Sequence, residues 1–108
     1  MKRLLLVFSL VIVAWAQTNP MVGRWRGSNG MSMEIPPGSG PFQLVWHLAD
    51  GKRVTHPAHW VKPGQEFGWT DKQGSQHTAT FDAGYKVPRI KDVGEAYPDS
   101  PAYWYPVK

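Results

Sequence analysis

The sequence predicts an all-β fold: a small antiparallel meander, or a six- to eight-stranded barrel-like sheet. Three observations predict it. Eleven glycines and ten prolines punctuate the chain beyond residue 16, so no stretch sustains a helical apolar repeat. Leu, Ile, Val and Phe supply only 14 of those 92 residues, against five Trp and four Tyr, so a few large rings must provide the buried area. Three segments also repeat one pattern, in which a Trp is followed by a Gly-containing turn and an outgoing β-prone run.

The first sixteen residues read differently. Lys2-Arg3 precede an apolar run from Leu4 to Ala14, and Ala14-Trp15-Ala16 stand before Gln17. A basic n-region, an h-region of that length and an A-x-A site mark a secretory signal peptide, residues 1–16, ahead of one small β-domain, residues 17–108. Removing the segment takes Lys2 and Arg3 with it and lowers the net charge from +4 to +2. So weak a positive balance argues against a nucleic-acid partner, which needs a dense basic patch. Cysteine is absent, so neither disulfides nor a lipobox anchor are expected. The expected localisation is periplasmic or secreted, in a bacterium, with membrane contact only transiently through the signal peptide.

In the first hairpin, Trp25 leads through Ser28-Asn29-Gly30 to Met31–Ile35. A strict Asn29-Gly30 turn sets Trp25 opposite Glu34, whereas a slip or bulge pairs it with Ile35; both registers stay open. In the second, an Asp50-Gly51 turn pairs Ala49 with Lys52, His47 with Val54 and Val45 with His56. One face then carries Phe42, Leu44, Trp46 and Leu48 opposite Arg53, Thr55, Pro57 and His59. In the third, Trp69 leads through Asp71-Lys72-Gln73-Gly74 to Gln76–Phe81. Beyond Phe81, Lys86–Lys91 reads as a short strand with Pro88 at an edge, Glu95–Pro101 as a loop, and Ala102–Tyr105 as a closing strand.

Four histidines offer chemistry. His56 and His59 form H-x-x-H, but Pro57 between them excludes a helical metal pair. In the register above, His47 and His56 lie diagonally on one face. There they are close enough to share a metal or a proton if the side chains converge, but a zinc shell needs three or four ligands and no Cys is available, so no metal and no cofactor is expected. Arg24 and Arg26 share a strand face and suit a carboxylate or phosphate. Glu34, Glu66, Asp71 and Asp82 could pair across strands, but the sequence names no particular couple. No G-x-S-x-G, no Cys and no glycine-rich phosphate loop occurs, so no catalytic residue is assigned. An enzyme reading would rest on the histidines alone.

Two short stretches resemble known families. Gly23-Arg24-Trp25 resembles the G-x-W that opens the first strand of lipocalins and related barrels, which implies a barrel beginning there. Phe67-Gly68-Trp69 through Gly74 to Ala79-Thr80-Phe81 is similar to the final hairpin of the small periplasmic lysozyme inhibitors, although their cysteines and Ser-Gly loop are missing here.

The aromatic excess carries the functional expectation. Rings on a β-surface beside Asn, Gln, Asp and Arg make stacking platforms for flat ligands or sugars. Trp60 and Trp69 border the Pro63-Gly64 connection, and Arg53 and Gln65 lie in reach as polar partners. These four residues are the expected ligand site, for an unknown small ligand or glycan bound through exposed aromatics. The alternative is a protein-binding module, such as an inhibitor of an envelope or host enzyme.

Overall fold

The computed structural model describes residues 19–84 and 86–107; the expected signal peptide lies outside them. Alternating apolar and polar positions produce eight strands: β1 (Gly23–Arg26), β2 (Ser32–Ile35), β3 (Phe42–His47), β4 (Arg53–Lys62), β5 (Glu66–Thr70), β6 (Gln76–Asp82), β7 (Arg89–Gly94) and β8 (Tyr97–Pro106). Each pairs antiparallel with the next, and β8 returns to β1 through Trp25↔Pro106 and Arg26↔Tyr105. The result is a closed barrel, the upper limit of the predicted range, and closure leaves no sheet edge to protect.

The three tryptophan hairpins share a plan. Trp25, Trp46 and Trp69 each stand five residues before a glycine of positive φ: Gly30 at 74°, Gly51 at 89° and Gly74 at 84°. In the second hairpin Gly51 N–H donates to Leu48 O at 3.0 Å, and in the third Gly74 N–H donates to Asp71 O at 3.0 Å. Both are three-residue loops ending in a left-handed glycine, rather than two-residue turns. The longer loop moves the second hairpin one residue from the expected register, so that His47 pairs with Arg53 and Leu44 with His56.

A one-residue shift exchanges the faces of a strand. Leu44 is buried as expected, with Phe42 and Trp46 half-buried beside it, but the β4 residues that join them are Val54, His56, Ala58 and Trp60. Arg53, Thr55, Pro57 and His59 lie outside. The expected register would have turned the Arg53 guanidinium into an apolar interior without a partner, a costly burial. His47 and His56 consequently occupy opposite faces, not one.

The first hairpin follows neither expected register. Asn29 (φ 58°) and Gly30 are the central residues of a tight turn, with Met31 N–H donating to Ser28 O at 3.2 Å. Gly27 N–H also donates to Met31 O at 2.9 Å, so two residues oppose one. This bulge sets Trp25 opposite Met33. Gly27 is required there, because a Cβ would stand 2.7 Å from Trp104 Cζ3.

The C-terminal third is more regular than expected. Only Glu95 and Ala96 separate β7 from β8, so Tyr97–Pro101 is strand, not loop. The β7–β8 register jumps from Asp92↔Ala102 to Gly94↔Tyr97, which lifts the intervening residues off the ladder. Pro98 and Pro101 are tolerated there because no ladder donor is needed. Likewise β7 starts at Arg89, after Pro88 rather than around it.

Tryptophan and phenylalanine rings fill the interior. Toward the end where the chain enters, Trp25 Nε1–H donates to Met21 O at 3.0 Å and the ring meets Phe81 edge-on at 6.4 Å. Phe42, Trp60 and Phe67 pack there with centroids 5.2–5.5 Å apart. Polar side chains stand among the rings of the other half.

Candidate functional site

The site is built from β5, β6 and β7. Trp69 and His77 are register partners on β5 and β6, and their rings stack 3.9 Å apart at 16°. His77 fits because its partner on β7 is Gly94, where a Cβ would stand 2.9 Å from His77 Cε1. Alternation along β7 turns Ile90, Asp92 and Gly94 into the barrel. Asp92 is only 6% exposed, and its Oδ1 accepts a hydrogen bond from Trp69 Nε1–H at 3.0 Å.

A line of contacts runs from this interior to the mouth. His77 Nδ1 lies 3.7 Å from Asp92 Oδ1, and His77 Nε2 lies 2.9 Å from Asp71 Oδ2. Asp71 Oδ1 in turn accepts the N–H groups of Gln73 at 2.9 Å and Ser75 at 3.0 Å. One carboxylate therefore shapes the β5–β6 loop and holds a histidine that faces a buried second carboxylate.

His56 completes the aromatic box. It is 5% exposed, with Trp46 at 4.9 Å and Trp69 at 4.8 Å between ring centroids. Trp46 also meets Trp104 at 5.2 Å. Three buried atoms have no hydrogen-bond partner among the described residues: Trp46 Nε1, His56 Nδ1 and His77 Nδ1. Buried polar atoms are normally paired, so three unpaired ones in one barrel half depart from that rule.

Burial also governs the charges. It pushes the Asp92 carboxyl up to about 6, against the opposing pull of the Trp69 hydrogen bond and the His77 charge. Burial pushes the His56 imidazole down, toward its neutral form. The hydrogen bond with His77 holds Asp71 below the usual carboxylate range. Among the described residues no group of three or more His, Asp or Glu is arranged to hold a metal ion.

Outside this interior lies a cleft of about 520 Å³, lined by Asp71, Gln73, Ser75, His77, Gly94 and Tyr97 among others. Tyr97 is 73% exposed and presents an open ring beside the polar groups.

The four expected ligand residues do not come together. Trp69 is buried inside the barrel, stacked on His77. Trp60 is half-buried against Phe42 and Phe67, among the rings of the opposite half. Arg53 is exposed on the outer face opposite His47, and Gln65 is exposed in the β4–β5 turn. Of the carboxylates picked out in the sequence, Asp71 pairs with His77, Asp82 with Arg89, and Glu34 with Arg24 and His47. Arg24 thus meets a carboxylate of its own chain.

Asp92 and Tyr97 escaped the sequence reading. The alternation Ile90-x-Asp92-x-Gly94 was a usable signal for the first. The second was hidden by the prolines that made its strand look like a loop. The chain matches no protein-family model, no curated protein and no solved structure.

Proposed function

We propose that this chain is an exported barrel that binds a small polar ligand, glycan-like in its chemistry, at the mouth between the β5–β6 and β7–β8 turns. The observation that carries the reading is one cleft lined both by Tyr97, whose ring is open to solvent, and by Gln73, Ser75 and His77. A sugar offers an apolar C–H face and a set of hydroxyls that both donate and accept. An exposed aromatic ring suits the first, and amide, hydroxyl and imidazole groups suit the second. The exposed-aromatic reading thereby passes from Trp60 and Trp69 to Tyr97. The basic n-region, apolar run and A-x-A site at residues 1–16 support export to the periplasm or beyond.

A glycan array tests this. Binding by the wild type that is lost in Tyr97→Ala, with melting unchanged, supports the reading. An array without a single bound glycan removes it.

A second reading, a protein-binding module, is favoured by one observation. Along the β1–β8 seam, Arg26, Val87, Tyr105, Pro106 and Val107 line a groove of about 470 Å³, with Val87 43% and Val107 47% exposed. Apolar surface beside a cation fits a protein partner better than a sugar. Cross-linking from Val87→Cys in envelope extract tests it, with Tyr97→Cys as the comparison.

A further inference from the structure

We propose that the seam between β1 and β8 takes an extended segment of a partner protein that carries a carboxylate beside apolar residues, with Arg26 and Tyr105 holding the carboxylate. The proposal rests on the protein-binding reading of the same groove and names the chemistry of the partner.

Arg24 and Arg26 share the outer face of β1, with Trp25 between them turned into the barrel. The strand register gives the two guanidinium groups different neighbours. Arg24 stands opposite Glu34 on β2, and its Nη2–H donates to Glu34 Oε1 at 2.9 Å. Arg26 stands between Ser32 on β2 and Tyr105 on β8, and neither carries a carboxylate. Glu34 is also engaged by His47, and Asp82 is engaged by Arg89. Among the described residues Arg26 therefore has no ion-pair partner.

Tyr105 is the second donor. Arg89 Nη1–H donates to Tyr105 Oη at 3.3 Å, so the phenol oxygen accepts and its own proton stays available. Arg89 is itself held in place, by Asp82 Oδ2 at 3.0 Å and over the Tyr103 ring at 3.9 Å. Arg26 and Tyr105 are thus cross-strand partners that line one groove, and both can donate to an anion. A guanidinium fork matches the two oxygens of a carboxylate.

The rest of the groove is apolar. Val87, Pro106 and Val107 complete its volume of about 470 Å³. A second cleft of about 420 Å³ shares Pro106 and Val107 and continues past Pro20, Val22 and Pro88. The two form one trench with a cationic end and an apolar length. Val87 and Val107 stay 43% and 47% exposed. A small-molecule site encloses most of its ligand, whereas an open apolar trench beside a cation suits a protein segment. Strands β1 and β8 are already paired to each other at the seam, so side chains rather than an added strand carry the recognition.

A peptide array probed with the wild-type barrel tests this. The probes are octapeptides with two apolar residues followed by Glu, each matched by peptides with Gln or Lys at that position. The Glu peptides are expected to bind, and the Gln peptides about tenfold more weakly, at the low end for loss of a charged hydrogen bond. Arg26→Glu is expected to turn the preference toward the Lys peptides, with melting unchanged. Tyr105→Phe, which leaves the guanidinium in place, is expected to weaken the Glu peptides as well. The proposal is overturned if Glu and Gln peptides bind alike, or if the Glu preference survives Arg26→Glu. It is also overturned if laurate binds at the seam and no peptide does, which would assign the trench to an acyl carboxylate. Peptides bound without charge preference leave the protein-binding reading standing. No bound peptide, together with no cross-link from Val87→Cys, removes both.

Discussion

The indole N–H of Trp69 on β5 and the carboxylate of Asp92 on β7 meet at 3.0 Å inside the barrel, with strand β6 between them. The bond satisfies the indole, and it gives the carboxyl a donor that partly offsets its burial.

Asp92 makes stability depend on pH in a defined direction. Its carboxyl lies near 6 in the folded chain against 3.8 ordinarily, so between those values the folded state binds the extra proton. Its contribution is fully present below about pH 4 and is lost as pH rises through about 6, by at most roughly 3 kcal/mol. Asp92→Asn keeps an acceptor for Trp69 and removes this slope. Urea unfolding across pH 4 to 7 is expected to show the variant gaining on the wild type as pH rises.

Tryptophan and tyrosine substitutions separate scaffold from site. Trp69→Ala opens a cavity and strips Asp92 of its donor, and is expected to cost about 3–5 kcal/mol, enough to prevent folding. Trp60→Ala, at a half-buried position, falls at or below the lower end of that range. Tyr97→Ala should leave thermal melting unchanged, because the ring is 73% exposed.

Gly27, Gly68 and Gly94 stand in close approach to a ring rather than in a turn that needs positive φ, and for Gly27 and Gly94 that ring lies inside the barrel. Gly27→Ala pushes a methyl to 2.7 Å from Trp104, and Gly94→Ala pushes one to 2.9 Å from His77. Each is expected to cost about 1–3 kcal/mol in urea unfolding. Only Gly94→Ala should also disturb the His77 ring resonances.

On the outer face of β1–β3, Arg24 and His47 flank Glu34 at 2.9 and 3.0 Å. The hydrogen bond with His47, then that from Arg24, holds Glu34 below its usual range, so its contribution is fully present above the ordinary value of 4.5 and is lost as pH falls through the lowered folded value. Arg24 is exposed and Glu34 and His47 are half-buried at the surface, and Glu34→Ala is expected to change stability by less than about 1 kcal/mol at neutral pH.

The fold was legible because Trp, turn glycine and outgoing strand recur in one order along the chain. The faces of β4 were not, because Asp50-Gly51 signals a tight turn while the chain uses Ala49 as well, and one residue decides whether Arg53 or His56 enters the barrel. Trp60 and Trp69 read as surface platforms because the sequence shows ring content and not ring direction. Asp71 was visible as a turn carboxylate and His77 as one of four histidines. Their meeting with Asp92 depends on β6–β7 pairing, a relationship between hairpins that no local signal encodes. Tyr97 was obscured by Pro98 and Pro101, whose tolerance depends on the bulge in β8.

Chemical-shift mapping of a glycan bound to the isotope-labelled wild type locates the binding surface. Binding at the mouth predicts shifts concentrated at residues 71–77 and 94–97, with saturation abolished in Tyr97→Ala. Shifts confined to the β1–β8 seam around Arg26, Val87 and Val107, with residues 71–77 unmoved, would contradict it.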